Sequence, residues 1–153
     1  MDSPDLLEIV QGLVDEAGLL LVDLSVRNTG RKYMIRLLVD RPGRVTVMEC
    51  AGLSRELQDT MDQNLLFSGW DYRLEVSSPG VGRPLSGEVD WIRSVGRRLS
   101  VRLEGEDFVD WLEDYGSGLL KFSDGREISA ESIVSAVEVL EQGPSGDQGS
   151  AND

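Results

Sequence analysis

An α+β protein of two domains is predicted: a two-layer domain of two helices and three strands, then a small β-barrel. Three observations predict it. Apolar residues recur at three- and four-residue spacing from Leu6 to Ala17, and then at a period of two from Leu20 to Val39. Ser78–Pro84 holds two prolines and two glycines in seven residues, the mark of a turn or a joint. Beyond Gly96 the chain changes to short strand-like runs at regular intervals, separated by Gly, Ser and acidic residues.

The first helix opens at Ser3-Pro4, a capping side chain followed by a proline pre-set for the first helical position. Leu6, Ile9, Val10, Leu13, Val14 and Ala17 form its apolar stripe, and Gly18 fits a left-handed stop. From Leu20 to Arg27, Val22, Leu24 and Val26 are expected on one face and Asp23, Ser25 and Arg27 on the other. Asn28-Thr29-Gly30 turns the chain. Lys32–Asp40 alternates again, with Tyr33, Ile35, Leu37 and Val39 on one face, so the two strands form an antiparallel hairpin. After Arg41-Pro42-Gly43-Arg44, the residues Thr46 and Glu49 have the spacing of a capping box. A helix from about Val47 to Asn64 follows, with Val47, Cys50, Ala51, Leu53, Leu57 and Met61 on its buried side. Tyr72–Ser77 is the third strand. Neither helix can bury its stripe alone, so both are expected on one face of the sheet.

This domain is assigned to residues 1–84 and the barrel to 85–141. Asp90–Ser94 is a short helical turn. Arg98–Leu103, Phe108–Tyr115, Leu119–Phe122, Glu127–Ser129 and Val134–Leu140 are the strands, with a tight turn at Asp124-Gly125. So small a sheet is expected to close on itself rather than leave bare edges. Residues 142–153 carry no large apolar side chain and read as a disordered tail.

Composition excludes several functions. The chain has 28 acidic and 15 basic residues, a net charge of −13, so it is no uniformly cationic nucleic-acid clamp. It has no histidine, hence no Ser–His–Asp or Cys–His triad. The lone Cys50 allows no internal disulfide and no Cys/His zinc site, which suggests a reducing compartment. The acidic start lacks the basic region of a secretory signal, and no apolar run approaches the roughly 18 residues of a membrane span. A cytoplasmic protein without membrane attachment, metal or cofactor is expected, and nothing demands more than a monomer.

Gly80 and Gly82 have the first spacing of a dinucleotide fingerprint, but Leu85 stands where its third glycine belongs and Pro84 blocks entry to a helix. Ser77 and Ser78 have no nearby base, so they are expected to cap local amides. Cys50 reads as a small core residue, and Trp70, Trp91 and Trp111 as packing residues rather than base-stacking platforms. Basic residues gather near turns and the joint, at Arg27, Arg31, Lys32, Arg41, Arg44, Arg73 and Arg83. Acidic ones gather at Glu104, Glu106, Asp107, Asp110, Glu113 and Asp114. This asymmetry suits a local basic contact for phosphate and an acidic face for a basic protein. Paired carboxylates such as Asp107 and Asp110 would suggest a hydrolase, but nothing fixes two of them in a desolvated cleft.

The stretch Tyr72-Arg73-Leu74-Glu75-Val76-Ser77-Ser78-Pro79-Gly80-Val81-Gly82-Arg83-Pro84-Leu85 closely resembles the signature of the bacterial ribosome maturation factor RimP family. That signature runs Tyr-x-Leu-Glu-Val-Ser-Ser-Pro-Gly, two variable residues, then Arg-Pro-Leu. Leu37-Leu38-Val39-Asp40-Arg41-Pro42-Gly43, Val45-Thr46, Glu49-Cys50-Ala51 and Ser54-Arg55-Glu56-Leu57 resemble the family's strand, turn and second-helix entry. The likeness runs over about residues 5–140, although Gly82 stands where many members carry Asp. It implies an SH3-like, Sm-related barrel after the α+β domain. It also implies a factor without catalytic residues or cofactor that binds the small (30S) ribosomal subunit late in assembly. Such a factor assists 16S rRNA maturation and the incorporation of a basic ribosomal protein near the decoding centre. On this reading Arg83 either contacts rRNA phosphate, with Arg55 and Arg73, or bonds carbonyls that fix the interdomain angle; the six acids above face the ribosomal protein; and Ser77, Ser78, Pro79, Gly80 and Pro84 form a stiff interdomain joint. The alternative is a general Sm-like RNA-binding module, which the net charge disfavours.

Overall fold

A computed structural model describes residues 3–64 and 67–140. The side chains of Ser3 and Pro4, and with them the expected cap, lie outside the described residues, as does the tail expected over 142–153. The chain divides into two compact units between Pro79 and Gly80. The boundary assigned from sequence falls five residues later. The second unit takes in the intervening segment because Pro84 bridges Val137 and the Leu85 amide donates to the Ala136 carbonyl at 2.9 Å.

The first unit runs α1 (Ser3–Glu16), β1 (Leu20–Asn28), β2 (Tyr33–Asp40), α2 (Val47–Asp62) and β3 (Tyr72–Ser77). Gly18, at φ +74°, ends α1. Its amide donates to the Asp15 carbonyl and the Leu19 amide to that of Val14, the two bonds of a left-handed helix stop that buries Leu19. β1 and β2 pair antiparallel as expected, while β3 lies parallel to β2 at the other side, giving the order β1-β2-β3. A bulge between Leu21 and Asp23 interrupts the first ladder. The core face of β1 is therefore Leu21, Leu24 and Val26, and Val22, expected there, is the extra residue.

Both helices cover one face of this sheet. Leu6, Val10 and Val14 of α1 and Cys50, Leu53, Leu57 and Met61 of α2 join Ile35, Leu37 and Val39 in one buried cluster. Val47 and Ala51, assigned to the buried side of α2, are instead exposed, Val47 to 85%. On a 100° wheel they flank the stripe centred on Cys50, Leu53, Leu57 and Met61 rather than sharing it. Trp70 stacks on Tyr33 at 4.0 Å between ring centroids and meets the edge of Phe67 at 5.4 Å, which pins the return to β3.

The turn from β2 into α2 is held by side chains. Buried Asp40 accepts from the amides of Arg41 (2.9 Å) and Val45 (3.2 Å). The capping box forms as read: Thr46 Oγ1 accepts from the Glu49 amide at 3.1 Å, and Glu49 Oε1 from the Thr46 amide at 2.8 Å. Arg41 Nη2 lies 3.1 Å from the same carboxylate.

The second unit contains α3 (Glu88–Arg93), β4 (Arg98–Leu103), β5 (Glu106–Gly116), β6 (Leu119–Phe122), β7 (Glu127–Ser129) and β8 (Ile133–Glu138). Its strands form one antiparallel sheet in the order β7-β6-β5-β4-β8. Among the described residues the ladders end at β7 and β8, without a pairing that joins them. Leu99, Val101, Leu112, Leu120, Phe122 and Trp91 form its core. Asp90 is buried at the start of α3, where it accepts from Arg93 Nε and the Ser86 amide, each at 2.8 Å.

The Arg41 hydrogen bond, with those of Thr46, holds the Glu49 carboxyl below its ordinary value of 4.5. The stability this contributes is complete above the ordinary range and is lost as pH falls through the lower folded value. Thermal melts between pH 5 and pH 3 should therefore show a smaller loss for Glu49→Gln than for the wild type. Asp90→Ala should destabilise the second unit by about 3 kcal/mol in urea unfolding, because it removes the buried carboxylate bonded to the Arg93 guanidinium and the Ser86 amide.

Candidate functional site

Both helices lie on one face of the first sheet, and the opposite face presents Met34, Arg36 and the buried Leu38 of β2. The register puts Arg27, Met34 and Arg73 side by side across the three strands, with Ser25, Arg36 and Glu75 in the next row. Arg36 Nε lies 3.4 Å from Glu75, an exposed pair. Arg27 and Arg73 form no ion pair among the described residues. Strands spaced about 4.8 Å apart hold their Cα atoms about 10 Å apart, so the two charges lie within about one Debye length of each other. Two exposed guanidiniums at this spacing can each contact a phosphate of one RNA strand.

Of the three arginines singled out from sequence, Arg55 and Arg73 lie on opposite sides of the first unit's sheet and Arg83 belongs to the second unit. Arg73 belongs to the row just described. Arg55 is exposed on α2, in the helix layer on the opposite side of the sheet. Arg83 is half-buried in the second unit, where its amide donates to the Gly80 carbonyl at 3.2 Å. Arg27 belongs with Arg73, and the period-two pattern placed it on the polar face of β1. Only the parallel pairing of β3, which the pattern does not encode, puts Arg73 across Met34 from it.

The six acids of the second unit also separate. Glu104 sits in the turn between β4 and β5. Glu106 accepts from Arg126, which lies 4.0 Å over the Phe108 ring. Asp107 pairs with Arg102 at 3.4 Å across the ladder. Asp110 accepts from the Ser123 hydroxyl, the Trp111 amide and the Asp124 amide, so it ties β5 to the turn after β6. These bonds outweigh its partial desolvation and lower its carboxyl below the usual range. Glu113 is the extra residue of a bulge, after which Asp114 comes into register with Lys121. Among the described residues no three Asp, Glu, Cys or His side chains come together to hold a metal.

Trp91 is buried and Trp70 stacked, as packing residues should be. Trp111, expected to pack, is 37% exposed on the outer side of β5, in register with Arg98. Cys50 is buried, and burial pushes its thiol up, with Glu49 and Asp40 adding to the effect, so it is held as a protonated core residue.

The signature 72–85 crosses from β3 into the second unit. Ser77 is the last residue of β3 and pairs with Leu38, Pro79 ends the first unit, and Gly80 begins the second. Neither Gly80 nor Gly82 has a positive φ, and a Cβ on either would meet nothing within 4 Å. Residues 9–82, from α1 through this segment, match the family profile described as the RimP N-terminal domain.

The chain belongs to the RimP family. RimP proteins are ribosome maturation factors, and the match takes in the whole sheet that carries Arg27 and Arg73 and reaches the glycines at the junction. Since nothing in this RimP chain's backbone or packing demands glycine at 82, Gly82→Ala should change stability by no more than about 1 kcal/mol, and in the stabilising direction. Urea midpoints of the two proteins provide the check.

Proposed function

We propose that this chain is a non-enzymatic assembly factor of the cytoplasm that binds the small (30S) ribosomal subunit as a monomer during late maturation. The observation that carries the reading is the RimP N-terminal domain match over residues 9–82. It is supported by the helix-free sheet face, where Arg27 and Arg73 offer a local cationic contact on a chain of net charge −13. Such a chain is repelled by bare RNA in general and attracted by basic proteins. It therefore approaches rRNA through a few placed arginines, with Arg83 of the signature as a further contact, and it attracts a basic ribosomal protein near the decoding centre through its acidic surface. Glu104, Glu106, Asp107, Glu113 and Asp114 are exposed acids of that surface, and Glu104 and Glu113 take part in no ion pair among the described residues. No helix among the described residues is long and apolar enough to cross a membrane.

We also infer an SH3-like arrangement for the second unit. The meander β4-β5-β6-β7 is followed by a 3-10 turn at Ala130–Ser132, and β8 returns to pair with β4. This order suits a small barrel whose first and last strands are neighbours.

Co-sedimentation with purified small subunits tests the function. Immature particles should bind in preference to mature ones, and free RNA should bind weakly. Arg27→Glu with Arg73→Glu should lower affinity by ~10-fold or more and reduce the log–log salt slope by about one to two. Arg83→Glu should add to that loss. Binding to free RNA alone would favour an Sm-like RNA module, and binding to neither would overturn the proposal.

A further inference from the structure

Among the described residues β3 pairs with β2 alone, so its other side is an open sheet edge. Its ladder is regular over six residue pairs, and Tyr72–Ser77 carries no bulge and no proline. Sheet edges are usually blunted by such devices, because a bare edge recruits another strand. Here a groove of about 510 Å³ lies between β3 and α2, lined by residues of the first unit only. Leu74, Val76, Val45 and Cys50 give it an apolar floor, and Val47 and Ala51 stand exposed along its helix wall. Met48, next to that wall, is 81% exposed.

The same helix flank turns acidic toward its C-terminal end. Val47, Ala51, Ser54, Gln58 and Asp62 succeed one another along it at helical spacing. The Asp62 carboxylate accepts from the Tyr72 hydroxyl at 3.0 Å, which places this end of the flank against the start of β3. Burial pushes the Tyr72 phenol up to about 12, and the charges of Asp62 and Asp59 add to the rise, so both carboxylates act at the strand edge. Asp71 precedes the strand, whereas Glu75, paired with Arg36, turns its carboxylate to the opposite face and gives the groove only its main chain. Arg55 is the one base of the helix on this side, and Arg73 points to the opposite face of the sheet with Met34.

We propose that the β3 edge and the α2 flank form a docking groove for an extended basic peptide segment. The segment adds as a fourth strand beside β3, seats alternate side chains on the apolar floor, and sets a Lys or Arg beside Asp59 and Asp62. Main-chain hydrogen bonds supply affinity in this mode, and alternate side chains supply selectivity. RNA is disfavoured by the acidic end of the groove, and a second copy of the chain by its own net charge of −13. The inference rests on the reading that the protein partner is a basic ribosomal protein, and it assigns that partner an extended segment and a place.

The test is an NMR titration of the full-length protein with a synthetic nine-residue peptide of alternating Val and Lys. A Val–Glu peptide and a Val–Lys peptide N-methylated at alternate residues serve as controls. The expected result is shifts confined to the amides of Tyr72–Ser77 and the α2 flank, with binding weakened ~10-fold or more by N-methylation, which removes the strand hydrogen bonds. Ala51→Trp, a substitution at an exposed helix position that fills the groove, should weaken it similarly, and Asp59→Asn should weaken it ~3-fold with a shallower salt dependence. Equal binding of the Val–Glu or N-methylated peptide would overturn the proposal. So would shifts elsewhere, or broadening of β3 resonances with protein concentration alone, which would mark self-association. Co-sedimentation of the same wild-type protein separates the two readings. A protein that binds immature subunits but not the Val–Lys peptide refutes the groove and leaves the assembly function standing, whereas one that binds no subunits refutes the function.

Discussion

The parallel pairing of β2 with β3 is the constraint on which the first unit depends. Two parallel neighbours cannot be joined by a hairpin, so the chain must cross over one face of the sheet, and α2 is that crossover. The crossover fixes which side receives the helices, leaves the opposite side carrying Arg27 and Arg73, and makes β3 the last strand of the sheet. The junction from β2 into α2 therefore has to be precise. Asp40 is spent on it: a buried carboxylate that holds two backbone amides of the turn, immediately before a reciprocal cap closed by Thr46 and Glu49. Arg41 then braces the cap from outside, so one short segment aligns strand and helix.

Much of this was legible in the sequence, because the relevant signals are local. The apolar period told helix from strand throughout, the Thr46–Glu49 spacing gave the start of α2, and Asp124-Gly125 gave a real turn, with Gly125 at φ +96°. What was not legible depends on contacts between distant segments. A bulge in β1 shifts the alternation by one residue and exchanges Leu21 for Val22. The width of the buried stripe on α2 is set by the sheet it meets, so Val47 and Ala51 could not be told from core residues by spacing. The partnership of Arg27 with Arg73 needs the register of a parallel pair, which no periodicity contains.

Charge shows the same division. The acids of the second unit form a run in sequence, yet β5 sends neighbours to opposite sides and most find local work. Asp110 fastens a turn, Asp107 answers Arg102, and Glu106 joins an Arg126 that also covers an aromatic ring. Exposed pairs of this kind contribute little to stability, but each one neutralised in place subtracts from the field offered to a partner. On the first sheet, Arg27 and Arg73 are in no ion pair among the described residues, so their charge is offered whole.

The link between Pro84-Leu85 and Ala136-Val137 has a consequence for synthesis. It joins the first residues of the second unit to its last strand, while every ladder of the first unit is complete by Ser77. A chain emerging from the tunnel can thus finish its N-terminal fold long before the C-terminal sheet receives β8. During that interval β4 waits with one side bare, and its last seam closes only when residues 133–138 have been made.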